Sequence, residues 1–185
     1  MIILIFVTFV LIKVSSNSEI AIEQETHYQS IEIPKPDMGI HQAIISFYND
    51  VVQEHIDAQT DLNLKEATAG SSPLITAATF GNLVALKMLI LAGADINLKN
   101  NDGSTPLHSA AFFCHENVVK VLLMHGADKS ITNNSGATAL ITVSLPYEQV
   151  KGIYEYFTKS FAPMGMQLDL EHIKKTRPLI AQLLR

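Results

Sequence analysis

Apolar and polar residues fall in blocks along this chain. Residues 2–12, IILIFVTFVLI, form an apolar run ended by Lys13. A polar and acidic stretch follows over residues 17–38, NSEIAIEQETHYQSIEIPKPDM, with Pro34 and Pro36 and no sustained period. From residue 39 the pattern turns helical, with short apolar segments divided by turns rich in Gly and Asn. In one segment Val118, Val119, Leu122 and Leu123 share a helical face while Glu116 and Lys120 point away. Gly126 follows and ends the helix, because glycine takes positive φ at no steric cost.

The helical part repeats. SSPLITAATFGNLVALKMLILAGADINLKNNDG, from Ser71, aligns without a gap on STPLHSAAFFCHENVVKVLLMHGADKSITNNSG, from Ser104. Pro73 becomes Pro106 and Gly93-Ala94-Asp95 becomes Gly126-Ala127-Asp128, so the period is 33. Each period predicts a proline-led apolar helix, a short break, an amphipathic helix and a polar turn that projects as a finger.

Thr105, Pro106, Leu107, His108 and Ala110, followed by a two-helix unit and Gly-Ala-Asp, resemble the ankyrin repeat. The resemblance implies an all-α solenoid of helix-turn-helix units with β-turn or hairpin fingers. Four to five units are expected: a capping repeat over residues 39–68, regular repeats over 69–101 and 102–134, a degenerate repeat over 135–168, and a cap helix over 169–185. The first unit keeps Asn49 and Val51 one period before Asn82 and Val84, but carries Gln59-Thr60 in place of Gly-Ala. In the fourth, Ala139 replaces the proline, Pro146 interrupts, and Gly152 weakens the second helix by about 1 kcal/mol. Lys174 to Arg185 look like the entry and first helix of one more unit. The stacking core is expected from Leu74, Ala77, Ala78, Leu89, Ile90, Leu107, Ala110, Ala111, Leu122, Leu123, Leu140 and Ile141.

The apolar run at residues 2–12 is short for a membrane helix of about 20 residues and fits the apolar core of an export signal, with cleavage after Ser16 or Ser18. Residues 1–16 are therefore read as a signal peptide and 17–38 as a linker, which places the protein in the periplasm or outside the cell. No Lys or Arg precedes the run, so a buried helix or an uncleaved membrane anchor stays open.

Composition narrows the function. The net charge is −5 with no basic run, which disfavours nucleic acid. A single cysteine, Cys114, excludes an internal disulfide and a multi-cysteine metal cage. His108, His115, His125 and Cys114 fall on different elements of one repeat without the i, i+4 spacing of metal ligands, so neither metal nor cofactor is expected.

The stretch GSTPLHSAAFF (103–113) sets hydroxyls beside His108 and invites a catalytic reading. As a helix start it has Thr105 as N-cap, Pro106 in the first turn and His108 three positions past the cap. The resemblance implies that this histidine ties its helix to the preceding finger. Cys114-His115 raises the rival of a cysteine-dependent enzyme, but adjacent helical residues do not face each other. His125 reads as a helix C-terminal cap, and Asn133-Asn134-Ser135 as turn chemistry that also spells a glycosylation acceptor.

The resemblance places partner contacts on the concave side, at the finger tips and the ends of the first helices. Carried onto this chain, that is Thr79, Phe80, Phe112 and Phe113, with Lys99, Asn101, Asp102, Ser104, Thr132, Asn134 and Ser135 from the fingers. The three phenylalanines serve either as anchors for a partner or as core. The resulting expectation is a monomeric, non-catalytic protein binder, with a membrane-anchored adaptor and a neutraliser of a toxin or enzyme as rivals.

Overall fold

A computed structural model describes residues 6–14, 20–28, 36–165 and 167–185. The chain divides into two units, Met1–Pro34 and Lys35–Arg185. In the first, strands β1 (Phe6–Val14) and β2 (Ile20–Tyr28) pair antiparallel, from Phe6 opposite Tyr28 to Val14 opposite Ile20. These strands take in much of the apolar run and part of the stretch read as linker. The cleavage positions after Ser16 and Ser18 lie outside the described residues.

The second unit is helical: α1 (Ile40–Ile45), α2 (Asn49–Asp57), α3 (Pro73–Phe80), α4 (Leu83–Leu91), α5 (Pro106–Phe112), α6 (Glu116–Met124), α7 (Ala139–Ser144), α8 (Tyr147–Phe161) and α9 (Leu170–Leu184). Helices α1, α3, α5 and α7 stack side by side as one row, and α2, α4, α6 and α9 form a second row behind it. Local chemistry starts and stops these helices where the repeat predicts. Ser72 caps α3 by accepting from the Ile75 N–H, Pro73 fills the first turn, and Gly81 ends it at φ +70°. Asn82 then caps α4 through the Ala85 N–H at 3.0 Å.

The core runs through the seam between the rows. Leu74, Leu86, Leu89, Leu107 and Leu122 are buried, and the buried pairs Ala77-Ala78 and Ala110-Ala111 let α3 and α5 approach closely. Ile90, Leu123 and Leu140 pack at its margin. Ile141, expected in the core, is 48% exposed. It occupies the position of Ile75 and His108 in earlier units, and those two are buried. His108 is held under the following finger by the Ala137 carbonyl.

Two further expectations change. The first unit is offset from the second by 34 rather than 33: Gln59 holds φ +54° where Gly93 holds +91°, and Phe47 holds +59° where Gly81 holds +70°. The extra residue lies in the first finger, between Asn63 and Gly70. At the other end, Leu170–Leu184 is one helix with Pro178 inside it, and it packs on α7 and α6. It is the second helix of the fourth unit, not the entry to a fifth. The helix expected in that role, α8, is inserted between α7 and α9. Pro146 opens the insertion: Leu145 before it is extended, as a residue preceding proline prefers, so α8 leaves the stack instead of folding back.

Candidate protein-interaction surface

The fingers form a hydrogen-bonded ladder. Asn101 donates from Nδ2 to the Thr68 carbonyl at 3.3 Å and from its backbone to Ala69 at 3.0 Å. One finger on, Asn134 donates from Nδ2 to the Asn101 carbonyl and from its backbone to Asp102, both at 2.9 Å. Lys99 Nζ donates to the Thr132 carbonyl at 2.9 Å. Each turn is closed internally as well, since Asn100 Oδ1 accepts from the Asp102 and Ser104 backbones and Asn133 Oδ1 from those of Ser135 and Ala137. Asn133, the acceptor of the glycosylation-type sequence, thus uses its carbonyl in the turn. Gly103, at φ +74°, permits the approach: a Cβ there would lie 2.5 Å from Asn134 Oδ1 and 2.9 Å from its backbone nitrogen.

Of the finger residues expected to meet a partner, Lys99, Asn101 and Asn134 therefore spend a polar side-chain group on the neighbouring finger. Asp102 and Ser135 are exposed, and among the described residues their side chains carry no hydrogen bond. Thr132 and Ser104 lie beside them, Ser104 half-buried.

His108 is structural. Its Nε2–H donates to the Ala137 carbonyl at 3.0 Å, which leaves Nδ1 to accept from the Thr105 N–H at 3.2 Å and the Thr105 hydroxyl at 2.9 Å. Ala137 belongs to the following finger, so the lock points forward along the stack rather than to the preceding finger. Burial lowers the His108 pKa, although the Ala137 carbonyl favours the charged ring. His115 Nε2–H donates across the stack to the Thr79 carbonyl at 3.0 Å, and burial lowers its pKa too. His125 Nδ1–H donates to the Val121 carbonyl at 2.8 Å near the end of α6.

Cys114 is buried at the α5–α6 turn with φ +58°, where the previous unit has Gly81. Its thiol lies 3.8 Å from the carbonyls of Phe112 and Ile173, and burial pushes its pKa up to about 12 despite the nearby Arg177. The neighbouring His115 ring is committed to Thr79. A nucleophilic cysteine needs the opposite environment, exposed and electropositive enough to hold a thiolate. Among the described residues no group of three His, Cys, Asp or Glu side chains is placed to hold a metal ion.

The three phenylalanines lie beneath α8. Val150 and Tyr154 are buried on that helix, Tyr147, Phe157 and Phe161 are partly buried, and together they form a stripe at helical spacing. Phe112 stacks on Tyr154 at 4.6 Å between ring centroids and meets Phe157 at 5.7 Å. Phe113, 7% exposed, meets Phe157 at 5.4 Å and Phe161 at 5.7 Å. Phe80 meets Phe161 at 5.3 Å. Helix α8 thus runs back from the fourth unit to the second, and covers ring faces that the repeat pattern leaves open. Tyr154 pins it: the hydroxyl donates to the Phe112 carbonyl at 2.7 Å and accepts from Arg177 Nη1 at 2.6 Å. Arg177 Nη2 reaches the Thr142 and Leu145 carbonyls at 3.3 and 2.8 Å, at the end of α7.

Tyr154, Phe157, Phe161 and Arg177 are absent from the sequence-based site, as is Phe47, which is exposed at the first unit's turn. The stripe on α8 was the available signal. Nothing in its spacing says which surface it covers.

Stacked helical hairpins with laddered fingers define a helical-repeat solenoid. A family model described as ankyrin repeats (3 copies) matches residues 40–133, just over half of the chain, and the chain belongs to the ankyrin-repeat family. It is similar to the crystal structure of the ankyrin repeat domain of Bcl-3, titled a unique member of the IkappaB protein family, with 30% identity and a TM-score of 0.54. The likeness covers 56% of this chain and 45% of that one, so this chain spans less than half of that structure's length. The comparison with curated proteins found no match. Family and fold make the chain a protein–protein interaction module.

Proposed function

We propose that this protein is a non-catalytic binder acting outside the cytoplasm, and that it holds one partner protein along the finger edge of the stack. The observation that carries this reading is the ladder through Asn101, Asn134 and Lys99, which ties successive fingers together while Asp102 and Ser135 keep their side chains for a partner. A surface ordered before binding loses less conformational entropy on association, so few side chains suffice for specificity. Thr132 and Ser104 flank them. Phe80, Phe112 and Phe113 are taken up by α8 at the other end of the first helices and are not part of this edge. The apolar run at residues 2–12 supports export.

A photo-crosslinking residue at position 104 or 132 of the full chain, in its native cell, tests the binding edge. One partner is expected to crosslink from both of these flanking positions, and the crosslink is expected to be lost when Asp102→Ala/Ser135→Ala is added to the same chain. Crosslinking that survives this double change, or that arises only from the second-helix row, removes the finger edge from the function. N-terminal sequencing of the mature protein tests export, with a start at Asn17 or Glu19 expected. An intact Met1 on a membrane-bound protein makes it an anchored adaptor instead.

A further inference from the structure

Helix α8 covers one edge of the stack, along the turns that join first and second helices. It reaches Phe80 in the second unit through Phe161 and ends there. One unit further the same turn is Ser46-Phe47-Tyr48. Phe47 sits at φ +59°, in the place of Gly81 and Cys114, with 53% of its surface exposed; Tyr48 is 52% exposed. A bulky side chain at positive φ costs backbone energy, and such strain persists where its surroundings hold it. Two adjacent aromatics held out to solvent beside such a turn are the conspicuous feature of this end. Among the described residues no ring pairs with either.

We infer that this open end of the edge docks an amphipathic helix of another protein, one that presents aromatic or large apolar side chains at the spacing of Tyr154, Phe157 and Phe161. This rests on reading the stack as a protein-binding module and goes beyond it in place and partner chemistry. Two observations select a helix. Helix α8 is already seated on the same edge one unit away, packing ring against ring on Phe80, Phe112 and Phe113. The backbone donors beside the exposed rings are spent, the N–H groups of Phe47, Tyr48 and Asn49 being taken by the carbonyls of Ile44, Ala43 and Phe47. An extended strand would want those donors. A helix satisfies its own backbone and needs only the rings. Because Tyr154 is wholly buried and its hydroxyl both donates and accepts, α8 stays in place as the wall of the site.

The test uses the full chain and a fluorescent peptide of residues 147–161, stapled as a helix on its polar face. Saturable binding is expected. Phe47→Ala/Tyr48→Ala is expected to weaken it by about tenfold or more, as loss of an aromatic anchor does, with helicity and the melting transition retained. Ile153→Ala/Tyr156→Ala, on the outward face of α8, is expected to leave it unchanged. Absence of saturable binding overturns the proposal. Affinity unaffected by the Phe47/Tyr48 change overturns it in favour of displacement of α8. A concentration-dependent dimer in sedimentation that this change dissolves also overturns it, in favour of a second copy. Absence of any crosslink from positions 104 and 132 in the otherwise unaltered chain, with peptide binding intact, would defeat the finger-edge reading while leaving this one standing.

Discussion

Arg177 donates from Nη1 to the Tyr154 hydroxyl at 2.6 Å, joining the inserted helix α8 to the last helix of the stack. Both side chains are buried, and the same hydroxyl donates to the Phe112 carbonyl. The bond ties α8 to the folded body, together with the ring contacts of Phe80, Phe112 and Phe113.

Tyr154→Phe keeps the ring on Phe112 but removes both hydrogen bonds, one of them to a charged group. It is expected to cost about 1–3 kcal/mol. Arg177 keeps its bonds to Thr142 and Leu145, so the loss falls on the attachment of α8. Urea denaturation measures the cost, and hydrogen exchange is expected to quicken over residues 147–161 before the rest of the stack.

Stability is expected to fall as pH drops below about 6.5. Burial holds the folded pKa values of His41, His108 and His115 below the ordinary 6.5, so the unfolded chain takes up protons first. The stability they contribute is complete above 6.5 and is lost as pH falls through the folded values. Glu66 adds a second, more acidic loss: although desolvation raises its pKa, hydrogen bonds from Thr68, Ser71 and Ala69 bring it down to about 2 from 4.5. Its contribution is therefore lost as pH falls from about 4.5 toward 2. Urea midpoints between pH 7.5 and 3 measure both phases, and His108→Gln is expected to flatten the first. Midpoints level from pH 7.5 to 5 would contradict the histidine locks.

Gly103→Ala and Gly93→Ala separate crowding from backbone conformation. Both glycines have positive φ, at +74° and +91°, which costs an L residue about 1–2 kcal/mol. A Cβ at Gly93 meets open space, while one at Gly103 drives into Asn134. Gly103→Ala is expected to be the more damaging, by about 1 kcal/mol for the hydrogen bond broken between fingers. Equal melting temperatures for the two variants would show that the ladder yields freely. By the same backbone logic, Gln59→Gly is expected to raise the melting temperature.

Cys114 is expected to resist alkylation at pH 8 in the native protein and to react rapidly once urea unfolds it. Burial and a pKa of about 12 leave almost no thiolate at that pH. Rapid native labelling would reopen the cysteine chemistry that the geometry disfavours.

The two regular repeats were legible because their helices carry their own signals. Ser72, Pro73, Gly81 and Asn82 start and stop α3 and α4 through bonds to near neighbours in the chain. The constant offset between Asn101 and Asn134 likewise marks the finger ladder, since identical positions in successive units stack. The ends were less legible. One added residue in the first finger shifts its register, and Ile141 is exposed at a position that is buried in the two earlier units.

Residue type and spacing alone determined the hairpin unit, its period and the structural fate of His108, because capping and stacking are short-range and recur from unit to unit. Only the tertiary structure decided that α9 completes the fourth unit, that α8 lies over Phe80, Phe112 and Phe113, and that Phe47 and Tyr48 are left uncovered. An amphipathic stripe states that a helix must bury a face. Which face of the molecule receives it depends on the reach of the insertion between Leu145 and Leu170 and on the one buried arginine, Arg177, that meets it.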